Sequence, residues 1–110
     1  MSKIEIKKII DRYAKLLKSK NFDFSAIYLF GSQSNGKAHK WSDIDIAVIS
    51  NKLKTNYEKN RSLLYRMRLD IDDRLEPHGF TEKGFLDNAN PLAYEIRKNG
   101  VRLNPISFVQ

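Results

Sequence analysis

Two aspartates separated by one apolar residue are the strongest chemical feature of this sequence. Asp43 and Asp45 lie in a segment with the period of a β-strand, whose other face is formed by Ile44, Ile46 and Val48. Side chains two positions apart on a strand project from one face about 6.5–7 Å apart, so both carboxylates can reach one cation. Paired acids repel each other unless a cation lies between them, and Mg²⁺ prefers oxygen ligands. An isolated Asp-x-Asp is usually only a solvated strand face, so its surroundings decide the interpretation.

A glycine and a serine end the apolar run that comes before this pair. Ala26 to Phe30 is a short continuous apolar segment typical of a buried strand, and Gly31 and Ser32 follow it directly. Glycine lets the backbone approach a ligand closely, serine can open a helix, and exposed amides at such a turn bind anions. A lone Gly-Ser pair is weak evidence, because these residues mark turns everywhere. Here it indicates a phosphate site on the strand before the metal pair.

The whole constellation resembles a known family signature. An apolar residue, Gly31 and Ser32 are followed after ten positions by Asp43-Ile44-Asp45-Ile46, as in the polymerase-beta-like nucleotidyltransferase superfamily. Within that superfamily the short chain looks like the minimal nucleotidyltransferases. The resemblance covers residues 24–103 and is most specific in FGSQSNGKAHKWSDIDIAV, where Gly36, Ala38 and Ser42 also stand where such proteins commonly have them.

The resemblance implies a triad of acids that holds two Mg²⁺ ions, with ATP as the substrate. Asp43 and Asp45 supply two of the acids, and the similarity of RLEPHGFTEKGF to the third-strand region of minimal members makes Glu76 the third. Asp72 is the next candidate, and Asp70 and Asp73 also compete for this role. Each of these three also reads as part of a solvated connection between a helix and a strand.

The same resemblance assigns the phosphate-binding side of the site. Gly31 and Ser32 would bind the triphosphate, with Ser42 and Lys37 as further nucleotide-binding positions. Lys37 and Lys40 lie between the phosphate loop and the acids, although lysines on polar loops are more often simply solvated. Trp41 suits base stacking and loop packing equally well.

The two histidines, His39 and His78, lack partners at ligand spacing and read as surface or packing residues.

The function implied by the resemblance is that of an antitoxin. Minimal nucleotidyltransferases resemble one half of two-component systems whose other half is a HEPN protein, often a toxic ribonuclease. The antitoxin transfers AMP from ATP to a tyrosine of that toxin. The alternatives are an antitoxin that binds without turnover and an enzyme acting on a small-molecule hydroxyl. Direct nucleic-acid binding would rest only on the net charge of +7, since no aromatic and basic interleaving indicates a stacking platform.

The elements that must position these residues follow from periodicity and capping signals. They predict an α/β fold. The resemblance implies one nucleotidyltransferase domain over 1–110, with a small mixed sheet packed with helices on one side. Helices are expected at 2–20, opened by a capping box of Ser2 and Glu5, at 56–69, at 81–87, capped by Thr81, and from Pro91 to Gly100. Strands are expected at 26–30, 43–48, within 71–78 and at 101–103, followed by a short tail over 104–110. Pro77 and Gly79 are expected to stop the third strand, because proline cannot donate to a ladder.

Composition limits the remaining possibilities. A chain of 110 residues with 41% hydrophobic residues suits one small core and excludes two-domain enzymes. The absence of cysteine excludes disulfides and thiolate chemistry. No apolar run approaches the roughly 20 residues of a membrane span, so a cytoplasmic location is expected.

Overall fold

The computed structural model describes residues 2–33 and 42–104. Within these residues the structure contains four helices and four strands. The helices are α1 (Lys3–Ser19), α2 (Tyr57–Met67), α3 (Glu82–Phe85) and α4 (Pro91–Asn99), and the strands are β1 (Ala26–Phe30), β2 (Ile44–Ile49), β3 (Leu75–Phe80) and β4 (Val101–Asn104). Single 3-10 turns occupy Gly31–Gln33, Asn51–Lys54 and Arg68–Asp70.

The first helix begins where its local sequence predicts. The Ser2 hydroxyl accepts a hydrogen bond from the Glu5 amide, and the Glu5 carboxylate accepts one from the Ser2 amide, which confirms the capping box. This arrangement satisfies two amides that the helix itself leaves unpaired. The buried face of α1 consists of Ile6, Ile9, Ile10, Tyr13, Ala14 and Leu17.

The strands form one mixed sheet in the order β3-β2-β1-β4. β1 runs antiparallel to both β2 and β4, whereas β2 and β3 are parallel. Parallel neighbours need a long crossover, and α2 supplies it between β2 and β3. The predicted succession of a strand at 43–48, a helix at 56–69 and a strand within 71–78 is confirmed, as is the predicted α/β class.

The two faces of the sheet carry separate apolar clusters. Ile44, Ile46 and Val48 of β2 join the larger cluster, which α1 and α2 cover. Ala47 and Ile49 point to the other face and join a smaller cluster with residues of α3 and α4. The predicted helices therefore lie on both faces of the sheet rather than on one side, because β2 carries apolar side chains on both faces.

The third strand begins at Leu75, within the predicted 71–78, but it continues past Pro77 and Gly79 and ends at Phe80. Residues 71–74 form a turn in which the Asp72 carboxylate accepts a hydrogen bond from the Arg74 amide, and β3 then runs from Leu75 to Phe80. Proline is tolerated there because β3 lies at the edge of the sheet, where no strand on its outer side needs the missing N–H.

The predicted cap of α3 at Thr81 and the predicted opening of α4 at Pro91 are confirmed. The Thr81 hydroxyl accepts a hydrogen bond from the Gly84 amide at the start of α3, and Asn90 caps α4 one residue before Pro91. Asn104, expected in the tail, instead ends β4, and the remaining tail residues 105–110 lie outside the described residues. Among the helices of the described part of the chain, none is long and apolar enough to cross a membrane.

Candidate active site

Two acidic residues lie side by side on neighbouring parallel strands. Asp45 of β2 pairs in register with Glu76 of β3. Adjacent strands are about 4.8 Å apart, and residues paired in register project from the same face, so both carboxylates share one surface. Asp45 shares its face with Ala47 and Ile49, which α3 and α4 cover further along the strand. The side chain of Asp45 is 30% exposed, so the cover ends before this position.

The other acid of the predicted triad, Asp43, lies directly before β2. Asp43 is exposed and precedes Ile44, whose amide donates a hydrogen bond to the Arg74 carbonyl at 2.8 Å. This hydrogen bond connects the start of β2 to the residue directly before β3. The oxygen donors of Asp43, Asp45 and Glu76 have the chemistry that Mg²⁺ prefers. Within 2–33 and 42–104, however, no three acidic or histidine side chains are close enough together to hold a metal ion.

A glycine turn at the end of β1 lies against Asp45. Gly31 has a φ of +75°, and a Cβ added there would stand 2.5 Å from Asp45 Oδ2. Residues other than glycine rarely adopt this backbone conformation, and here their Cβ would also collide with the Asp45 carboxylate. Ser32 follows within the same 3-10 turn and is half-buried. The structure therefore brings the predicted phosphate turn and one predicted metal ligand together.

A buried glutamine connects the two ends of the segment between β1 and β2. The Gln33 side-chain amide donates to the Ser42 carbonyl at 3.3 Å, so Ser42 lies next to the Gly31–Gln33 turn. The sequence analysis did not single out Gln33. Lys37, together with Gly36, Ala38, His39, Lys40 and Trp41, falls outside the described residues.

The rival candidates for the third acid have other surroundings. Asp72 forms an ion pair with Arg74 at 2.7 Å and accepts further hydrogen bonds from the Arg74 backbone and side chain. These hydrogen bonds hold the pKa of the Asp72 carboxyl below its usual value, with Arg12 of α1 adding to the effect. Asp70 and Asp73 are exposed in the turn region before β3. Of the four candidates, Glu76 alone pairs in register with Asp45.

His78 is a site residue that the sequence analysis treated as packing or surface. Its Nε2 lies 3.4 Å from Asp45 Oδ1, and its ring meets Phe30 edge to face with centroids 5.1 Å apart. It stands two positions after Glu76, so the alternation of β3 places both on the same face. That alternation was the available signal, but it required the correct boundaries of the strand.

Comparisons with known proteins relate the sequence to a family and the fold to solved structures. The profile of a family described as "Polymerase beta, Nucleotidyltransferase" matches residues 7–105. A crystal structure from Sulfolobus solfataricus, provisionally assigned as a nucleotidyltransferase, superposes with a TM-score of 0.63 at 19% identity, over 90% of this chain and 79% of that one. At that identity the likeness concerns the fold.

A second solved structure is more similar in sequence. It is a toxin-antitoxin crystallised with AMP-PNP, and it superposes with a TM-score of 0.64 at 26% identity, over 92% of this chain and 74% of that one. No curated protein matches the sequence significantly.

Proposed function

The chain belongs to the polymerase beta nucleotidyltransferase family, and from this premise we propose that it is a cytoplasmic, Mg²⁺-dependent adenylyltransferase antitoxin. It transfers AMP from ATP to a hydroxyl of a partner protein, a tyrosine of a HEPN-type toxin. The observation that carries the proposal is the register pairing of Asp45 with Glu76, with the Gly31 turn against Asp45. Acids on one sheet face beside a backbone turn suit a triphosphate and its cations.

Each site residue has a distinct task in this proposal. Asp43, Asp45 and Glu76 would hold two Mg²⁺ ions together with the oxygens of the triphosphate, because the described acids do not form a metal site by themselves. The ions would neutralise charge on the triphosphate and lower the pKa of the attacking hydroxyl. Gly31 and Ser32 bind the β- and γ-phosphates. Positioning of this kind provides most of the rate in phosphoryl chemistry, because the reacting groups need alignment more than new covalent partners.

The bonds made and broken follow from in-line substitution at the α-phosphorus. The oxygen of the acceptor hydroxyl bonds to that phosphorus while the bond to the β-phosphate oxygen breaks. Pyrophosphate leaves, the hydroxyl proton passes to solvent, and AMP stays on the acceptor as a phosphodiester. Lys37 and Ser42 are assigned to nucleotide binding on the segment between the glycine turn and the acids.

The antitoxin role draws its support from the relatives. A solved structure 26% identical to this chain comes from a toxin-antitoxin and was determined with an ATP analogue. The net charge of +7 also suits a triphosphate substrate and an acidic partner surface.

The proposal can be tested with ATP labelled at different phosphorus atoms. The chain is co-purified with its partner and incubated with Mg²⁺ and ATP labelled at either the α- or the γ-phosphorus. Adenylyl transfer labels the partner from the α-position alone, whereas phosphoryl transfer would label it from the γ-position. Asp45→Asn, which keeps the shape of the side chain but removes its charge, should abolish labelling. A partner bound equally by both forms and never labelled would instead identify an antitoxin that acts by binding.

A further inference from the structure

The proposed function leaves one contact of Asp45 unassigned, and that contact is made by His78. The parallel pairing of β2 with β3 sets His78 opposite Ala47, one diagonal step from Asp45 on the same face. Its Nε2 is 3.4 Å from Asp45 Oδ1. The side chains are 39% and 30% exposed, so each is partly shielded from water that would compete for the contact.

The two oxygens of Asp45 have different neighbours. Oδ2 is directed towards Gly31, where even a methyl group would stand only 2.5 Å away. Oδ1 is directed towards the His78 ring. An ionised carboxylate can only accept hydrogen bonds, so the contact is favourable when His78 carries a proton on Nε2. One oxygen of the Asp45 carboxylate therefore faces the glycine turn, and the other faces the imidazole.

The imidazole itself has a defined place. Its ring packs edge to face against Phe30, with an interplanar angle of 64°. Phe30 pairs in register with Asp45 on the strand at the other side of β2, and it packs against the smaller apolar cluster. Edge-to-face rings at this separation attract each other, which limits the orientations open to His78.

We propose that His78 is a positioning residue that orients the Asp45 carboxylate, keeping Oδ2 towards the Gly31 turn and Oδ1 on the imidazole. The inference rests on the proposed function, in which the triphosphate lies at that turn. A carboxylate that binds a cation through one oxygen gains affinity when its other oxygen has a fixed hydrogen-bond donor. Without His78 the Asp45 carboxylate rotates more freely about its Cβ–Cγ bond. A smaller fraction of its orientations then suits the cation and the triphosphate.

Three variants separate positioning from packing. His78→Gln places an amide N–H near the position of Nε2, His78→Asn places its amide only as far out as Nδ1, and His78→Leu has no donor. Binding of Mn²⁺ together with AMP-PNP is measured by calorimetry, and kcat and KM for adenylyl transfer are measured separately. Thermal unfolding of each variant reports any loss of packing.

The expected result is about tenfold weaker Mn²⁺ binding and a lower kcat for His78→Leu and His78→Asn, with KM for the acceptor unchanged. His78→Gln should recover most of both quantities at a similar unfolding temperature. Wild-type binding and turnover in His78→Leu would overturn the inference while leaving the proposed function intact. Equal losses in all three variants with lowered unfolding temperatures would also overturn it, because they indicate packing. Failure of the wild type itself to bind Mn²⁺ with AMP-PNP and to transfer AMP would overturn the proposed function, and the inference with it.

Discussion

At the scale of single residues, the tightest constraint in the site is the approach of Gly31 to Asp45. The glycine has a positive φ, and the space beside its Cα is taken by the carboxylate. Sequence alone indicates a turn here but not the identity of the group it meets, because that group arrives from the neighbouring strand. Because the Gly31 backbone lies against the Asp45 carboxylate, this glycine helps to set the position of that side chain, which an ordinary loop glycine does not do.

Gly31→Ala should therefore damage both stability and activity. Forcing a Cβ into the left-handed region costs about 1–2 kcal/mol, and the methyl group would displace Asp45 Oδ2. We expect a lower free energy of unfolding in urea and loss of adenylyl transfer. Gly84→Ala, in α3 and outside the site, serves as the control and should leave transfer unchanged. An active Gly31→Ala protein would show that Asp45 does not need its observed position.

The identity of the third acid is also a question at the residue scale. Glu76 pairs with Asp45, whereas Asp72 is bound by Arg74. We expect Glu76→Gln to abolish transfer with little change in stability, and Asp72→Asn to leave transfer intact. Steady-state assays on the two purified variants test this directly, and the reverse pattern would make Asp72 the third acid.

The effect of Asp72→Asn on the free energy of unfolding should depend on pH. Arg74 lowers the pKa of the folded-state carboxyl, so its stabilisation is complete above the unfolded pKa of about 3.9 and is lost as pH falls through the lower folded value. The substitution should cost about 0.5–1 kcal/mol near pH 7 and progressively less below about pH 4, as measured by urea unfolding.

At the scale of elements, α1 and α2 are joined by a buried hydrogen bond. The Tyr13 hydroxyl donates to the Leu64 carbonyl at 2.7 Å, and Tyr13 is fully buried. The tyrosine thus links two helices on the sheet face opposite the site. Burial also raises the pKa of Tyr13, since the phenolate would lose its hydration.

Tyr13→Phe should destabilise the protein without changing transfer. Loss of the hydroxyl leaves the Leu64 carbonyl without this donor, at a cost of about 1 kcal/mol near pH 7. Because the folded pKa is raised, wild-type stabilisation is complete below about pH 10 and is lost as pH rises above it. The difference in unfolding free energy between the two proteins should therefore shrink in alkali. A constant difference would contradict the buried environment of the hydroxyl.

The elements also show what sequence can predict and what it cannot. The capping box at Ser2, the cap at Thr81 and the opening of α4 at Pro91 depend on neighbours within one turn, and the sequence predicts them. The span of β3 depends on pairing with β2, a partner about thirty positions earlier, so Pro77 was wrongly taken as its end. His78 was missed for the same reason, because its contact with Asp45 exists only in that register.

At the scale of the whole molecule, the site lies where the cover of one sheet face stops. α1 and α2 fill one face, while α3 and α4 cover only part of the other and leave Asp45 partly exposed. In the proposed function, ATP and the protein acceptor would approach the acids from this partly exposed side. The mixed sheet and the family were predictable from the motif, whereas the catalytic roles of Asp43, Asp45 and Glu76 stay predictions.

The most direct test of adenylyl transfer to a protein is the intact mass of the co-purified partner. The complex is incubated with Mg²⁺ and ATP, using either the wild type or Asp43→Asn. We expect mass increments of whole AMP units on the partner with the wild type and none with the variant. A partner that binds both forms equally and never gains mass would contradict adenylyl transfer.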